Sequence, residues 1–269
     1  MSENCASCEN TATCGMPVKS KGKVKHIIAV GSGKGGVGKS SMTVLLAAGI
    51  ARKGHSVGIL DADITGPSIP KLMGIKGRAM GNDKGVIPFC SKVLGIKVMS
   101  INLLLDDPTK PVVWRGPLIG SVIKQFWEDV DWGALDYLLV DLPPGTADAP
   151  LTVMQVLDLD GFIMVTSPQE LSVLVVEKAA NMTKMLDVPL LGVVENMSFA
   201  ICPNCGERFD LFGPSHVCEI TEKFNVPVLA EMPIDPLMAK LGDSGHLEEY
   251  EDPEILDSLV QSVIERVEG

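Results

Sequence analysis

The sequence predicts an α/β protein built on a doubly wound, mostly parallel sheet flanked by helices. Three observations carry that expectation. Apolar strand-like runs alternate with longer amphipathic segments along the chain, the pattern of βαβ units with right-handed crossovers. The 269 residues are 46% hydrophobic but only 4% aromatic, so the core is built of small and aliphatic side chains, as in a sheet buried on both faces. The length suits one large domain.

Taken in order, residues 1–22 are polar, lysine-bearing and cysteine-rich, and are expected to form a flexible tail ahead of a single domain spanning 23–269. Strand signals fall at residues 27–30, 57–60, 95–101, 137–140, 162–166, 190–194 and 228–232. Helical periodicity falls at 41–53, 118–130, 171–186 and 255–267, with Gly54 after Arg52-Lys53 reading as a helix stop. Residues 74–92, rich in Gly and Lys, read as an irregular excursion. The last helix points Ile255, Leu256, Leu259, Val263 and Val267 to one side, a stripe that fits a core-facing helix.

The net charge of −11 sets an acidic surface against nucleic acid and anionic lipid, so neither is an expected partner. No apolar run reaches the roughly 18 residues of a membrane helix, and the N-terminus has no signal-peptide core. A cytoplasmic location is expected, where the seven cysteines serve as thiols or metal ligands rather than disulfides. Cys90 and Cys218 have no partner spacing and are expected to pack in the core as small apolar residues.

The first strand runs into GSGKGGVGKS, residues 31–40. Gly33, Lys34, Gly35, Gly36, Val37, Gly38, Lys39 and Ser40 satisfy G-x-x-x-x-G-K-[ST], between a strand and a helix that begins near Ser41. Glycines let successive N–H groups turn inward on phosphate oxygens. Lys39 then reaches the outer phosphates, and the Ser40 hydroxyl is placed for Mg²⁺. A dehydrogenase is excluded, because the Walker lysine and serine stand where a G-x-G-x-x-G fingerprint would be. Lys34 is a second charge that the general loop does not need. With it the loop resembles the deviant Walker A motif of the MinD/ParA/nitrogenase-iron-protein (SIMIBI) group. The resemblance implies an ATP-dependent homodimer in which Lys34 reaches the nucleotide of the partner subunit.

Two acidic motifs follow. ILDADITGPSIP puts Asp61 and Asp63 after the second strand; YLLVDLPPGTAD puts Asp141 at the end of another, with Asp148 seven residues on. Carboxylates at the C-terminal ends of parallel strands face the ligand crevice. Asp141 reads as the Walker B residue that holds Mg²⁺ through water. By the resemblance, Asp63 orients the attacking water, Asn196 of VVENMSF bonds the adenine, and the MPIDP segment with Pro233 lines the base and ribose.

Cys202-Pro203-Asn204-Cys205-Gly206 is a C-P-x-C-G knuckle whose thiolates face one metal. A closed zinc site or a cubane cluster needs four ligands. The missing pair could come from Cys5 and Cys8 of the tail or from a second copy across a twofold axis. The knuckle also occurs in structural zinc sites, which keeps open a MinD/ParA-like nucleotide-switched regulator with bound Zn²⁺. The full series of motifs, with VVWRGPLIGSVIKQF and VLAEMPIDP, resembles the Mrp/ApbC/Nbp family of iron–sulfur cluster carrier ATPases over about residues 24–250. That resemblance implies ATP and Mg²⁺ as cofactors, a labile 4Fe-4S cluster bridged by Cys202 and Cys205 of two subunits, slow ATP hydrolysis, and apo iron–sulfur proteins as recipients. The tail cysteines Cys5, Cys8 and Cys14 resemble the N-terminal motif of the Nbp branch, as candidate ligands of a second cluster, but the upstream fourth cysteine is missing.

Overall fold

The computed structural model describes residues 23–63, 66, 68–83, 85–100, 103, 116–146, 148–168, 172–213, 215 and 217–269. Its elements, in chain order, are β1 (Val24–Ser32), α1 (Lys39–Arg52), β2 (Val57–Asp61), α2 (Ile69–Leu72), β3 (Gly81–Asn82), β4 (Gly85–Val86), β5 (Phe89–Cys90), β6 (Lys97–Ser100), α3 (Gly116–Asp129), β7 (Leu135–Asp141), α4 (Asp148–Val156), β8 (Gly161–Thr166), α5 (Ser172–Met185), β9 (Leu190–Ile201), β10 (Arg208–Phe209), α6 (Val217–Phe224), β11 (Val228–Pro233), α7 (Pro236–Ser244), a 3-10 turn at Leu247–Glu249, and α8 (Pro253–Glu268).

Among the described residues the main sheet has nine strands. Its order is β10-β9-β8-β1-β7-β2-β6-β5, with β11 also on β9. The strands from β11 through β9, β8, β1, β7 and β2 to β6 are parallel; β5 and β10 are short antiparallel additions. The β1–α1 unit leads away past β7 to β2, whereas β7–α4 leads the other way to β8. The chain therefore reverses its winding beside β1, and the crevice at the carboxyl ends of β1 and β7 is the expected ligand position.

The central strands are apolar without alternation because helices cover both faces. β8 is buried throughout, and so is β2. One core layer holds Ile27, Leu60, Leu138, Phe162 and Met182, under α3, α4 and α5. The other holds Ile28, Leu45, Ile59, Leu139 and Val263, under α1 and α8. The expected stripe on α8 is in place: Leu256, Leu259 and Val263 are buried and Ile255 and Val267 are half-buried. Asp252 caps the helix by accepting from Ile255 N at 3.1 Å.

Three expectations are corrected. Residues 74–92 carry order: β3 and β4 pair antiparallel, and Asp131 N donates to Val86 O at 2.9 Å, which docks the hairpin beside the end of α3. Cys90 and Cys218 are exposed rather than core residues. Cys90 lies on the two-residue edge strand β5, with Ser91 beside it turned inward. Cys218 is the outward neighbour of fully buried Val217 at the start of α6.

Candidate nucleotide site and thiol knuckle

Lys39 begins α1, and Gly38 precedes it as the N-cap with φ 81°. Glycine is required here twice over. The left-handed backbone disfavours a side chain, and a Cβ would lie 2.1 Å from Asn196 Nδ2. Gly36 is also left-handed, and a Cβ on Gly35 or Gly36 would meet nothing within 4 Å, so the loop leaves open space. The first turn of α1 has no side-chain cap and no acidic residue. Its N–H groups and the positive end of the helix dipole are thus left for an anion.

Beside this cradle lies a buried charged cluster. Lys39 Nζ pairs with Asp141 Oδ2 at 2.8 Å and stands 3.7 Å from Asp63 Oδ2. Ser40 Oγ donates to the same Asp141 oxygen at 2.6 Å, and Thr43 Oγ1 donates to Asp141 Oδ1 at 2.9 Å. Thr43, one turn beyond Lys39 and fully buried, escaped the sequence reading because its partner is 98 residues away. Burial pushes the Asp141 carboxyl up, against the pull of Lys39, Ser40 and Thr43. Asp61 sits in register opposite Asp141 on the neighbouring strand. Its Oδ1 accepts from Asp63 N at 3.2 Å, and its Oδ2 is buried with no hydrogen-bond partner among the described residues. Burial, then the charge of Asp141, raises the Asp61 carboxyl well above the ordinary range.

The donor set suits Mg·ATP. A cradle of open N–H groups adjoins a hydroxyl and a carboxylate of the kind Mg²⁺ takes, and a buried lysine whose present partner is that carboxylate. Lys34 is exposed at the loop tip; its carbonyl accepts from Ser32 Oγ at 2.9 Å. Ser41 lies in the first turn of α1, half-buried. Asp148 begins α4.

Asn196 joins this group from β9: its Nδ2 donates to Val37 O at 2.9 Å, a contact with the loop itself. Pro233 ends β11 in register with Phe199 of β9. Farther along β9 comes the knuckle. Gly206 N donates to Cys202 O and Cys202 N to Glu207 O, both at 2.9 Å, which closes a tight turn; Gly206 takes φ 75°. N–H groups of Asn204 and Cys205, then the Cys205 thiol, hold the Cys202 thiol below its ordinary range. Such donors favour the thiolate of Cys202, the form in which a cysteine ligates metal. Among the described residues no group of three or more His, Cys, Asp or Glu side chains converges to hold a metal, so the knuckle brings two ligands. Ile201, Phe209 and Leu211 stand exposed around it. Cys5, Cys8 and Cys14 lie outside the described residues.

A loop of this form between β1 and α1, closed by a strand-end aspartate, defines a P-loop NTPase. Comparison with known proteins places it further. Residues 23–268 match the model of the NUBPL iron-transfer P-loop NTPases, and the chain belongs to that family. It is 46% identical over 252 residues to the iron-sulfur cluster carrier protein of Methanocaldococcus jannaschii, covering 92% of this chain and 87% of that protein. The cytosolic Fe-S cluster assembly factor CFD1 of Kluyveromyces lactis is 44% identical, covering 86% and 84%. A nucleotide-binding protein from Archaeoglobus fulgidus, solved with ADP and cobalt, superposes with a TM-score of 0.79 at 50% identity, over 86% of this chain and 90% of that one. The cell-division ATPase MinD of Pyrococcus furiosus shares the fold, with a TM-score of 0.63 at 21% identity over 89% and 98%. Among the described residues no helix is long and apolar enough to cross a membrane.

Proposed function

We propose that this chain is a cytoplasmic, Mg²⁺-dependent and slow ATPase that carries a labile 4Fe-4S cluster between two copies of itself and delivers it to apo-proteins. The observation that carries the reading is the knuckle. Two thiols are held as a pair, with N–H donors on the Cys202 sulfur and no third ligand among the described residues. A cubane needs four ligands, and a second copy related by a twofold axis contributes the same pair. Exposed Ile201, Phe209 and Leu211 supply apolar surface for that contact. The relatives named as cluster carriers support the cargo, and the K. lactis relative, named cytosolic, supports the compartment.

At the nucleotide, Mg²⁺ held by Ser40 and, through water, Asp141 would screen the phosphate charge. The residues of the chain do the rest. The N–H groups of the loop and Lys39 bind the phosphates, and Lys39 leaves Asp141 to do so. Asp63 orients the attacking water. Lys34, exposed at the loop tip, reaches the nucleotide of the partner subunit. Asn196 and Pro233 contact the base side. Cys5, Cys8 and Cys14, which lie outside the described residues, are candidate ligands of a second cluster.

Anaerobic reconstitution tests the cargo, with iron, sulfide and zinc quantified in wild type and in the Cys202→Ala/Cys205→Ala variant. A chain starting at Lys23 is run in parallel to remove the tail thiols. Iron and sulfide bound at one cluster per dimer, lost in the variant, are expected. Stoichiometric zinc on a monomer would replace the carrier with a zinc-knuckle regulator.

A further inference from the structure

The knuckle is fastened to the nucleotide half of the molecule on both flanks. On one side the Arg208 guanidinium lies 3.9 Å from the centroid of the Phe199 ring and pairs with Glu231 Oε2 at 2.9 Å. Phe199 belongs to β9. Glu231 belongs to β11, two residues before Pro233, and Ile234 N donates to Phe199 O at 2.7 Å. On the other side Ser215, just past the hairpin, donates to Glu195 Oε1 at 2.9 Å, while Ser198 donates to Oε2 at 2.6 Å. Glu195 is only 1% exposed and immediately precedes Asn196, whose amide holds the P-loop carbonyl of Val37.

Between the two attachments the strand is irregular. Met197 takes φ 58°, and the register of β9 with β11 slips between Glu231 and Pro233. A non-glycine residue in the left-handed region is held there by its surroundings, and such residues gather where a chain must change shape. A buried carboxylate with both oxygens bonded resists being moved alone. An exposed ion pair adds little to overall stability, but two sites need only a small free energy to influence each other.

We propose that Arg208 and Glu195 are positioning residues that tie the Cys202–Cys205 thiols to nucleotide occupancy. Nucleotide at the P-loop and the 232–236 segment displaces Asn196 and β11, and the Arg208–Glu231 and Ser215–Glu195 tethers carry that displacement to the knuckle. The inference rests on the reading of Asn196 and Pro233 as nucleotide contacts, and does not depend on which metal the thiols take.

The test uses the full chain, metal-free and reduced, so that its failure is separate from that of the cargo reading. Alkylation of Cys202 and Cys205 by iodoacetamide is followed by peptide mass spectrometry with and without Mg·ADP, with Cys90 on the opposite sheet edge as internal reference. Nucleotide should change the relative rate by about fivefold in wild type. Arg208→Gln, Glu231→Gln and Ser215→Ala should each bring that ratio toward one while ADP affinity holds within about twofold, and Arg208→Lys should keep most of it. Glu231→Gln reaches the first tether from the strand side, and a thermal melt verifies that each variant is folded. A wild-type ratio of one, variants that keep the wild-type ratio, or variants that lose ADP affinity in parallel would each overturn the proposal.

Discussion

At Gly38 the sequence has no alternative residue. A side chain there must adopt a left-handed backbone and displace the Asn196 amide. Gly38→Ala should therefore weaken ADP binding by at least about tenfold and cost the ~1–3 kcal/mol of stability that a strained backbone carries, seen as a lower melting temperature; titration and a melt measure both. Lys39→Ala should abolish ATP binding at concentrations that saturate wild type, and it leaves the Asp141 carboxylate buried without its cation. Asp63→Asn should keep ATP affinity but slow hydrolysis by about a hundredfold or more, since an amide neither orients water as a carboxylate does nor accepts its proton; single-turnover kinetics separate the two. The Cys202 thiol, held low by its N–H donors, should alkylate with a pH midpoint below the ~8.5 of a free cysteine in solution. Its reaction rises with pH as thiolate forms, so the Cys202 profile shifts to lower pH.

Among the elements, long ones were legible and short ones were not. β1, β2, β7, β8 and α1 announce themselves because buried parallel strands are continuous apolar runs and the loop motif sits between two of them. The P-loop and Asp141 were legible for the same reason: their chemistry is written in adjacent residues. β9 was read at its first five residues only, because polar Glu195, Asn196 and Ser198 interrupt the apolar run; the strand continues to Ile201 since those polar groups find partners elsewhere in the fold. α4, α6 and α7, at eight or nine residues each, are too brief for periodicity to declare. Thr43, Glu195 and Arg208 were invisible because each is defined by a distant partner. For α8, Leu259→Ala should cost about 2–5 kcal/mol of unfolding free energy through the cavity it leaves. Urea denaturation measures it, and a loss under ~1 kcal/mol would show the helix to be peripheral to the core.

For the whole molecule, the placement of the two sites matters more than either alone. From Asn196 to Cys202 the chain runs six residues along β9 and just past its end, at most about 20 Å at ~3.3 Å per residue and less where Met197 bends it. Under the proposed function, ATP is hydrolysed at one end of this span and the cargo is held at the other, where Cys205 is exposed. Damage will therefore arrive in stages. Air reaches the paired sulfurs first and can join them, while the glycine loop, which holds no cysteine, goes on turning over. A molecule weathered in this way becomes an idle engine that still burns ATP with nothing aboard, and hydrolysis alone will be a poor gauge of whether a preparation is alive.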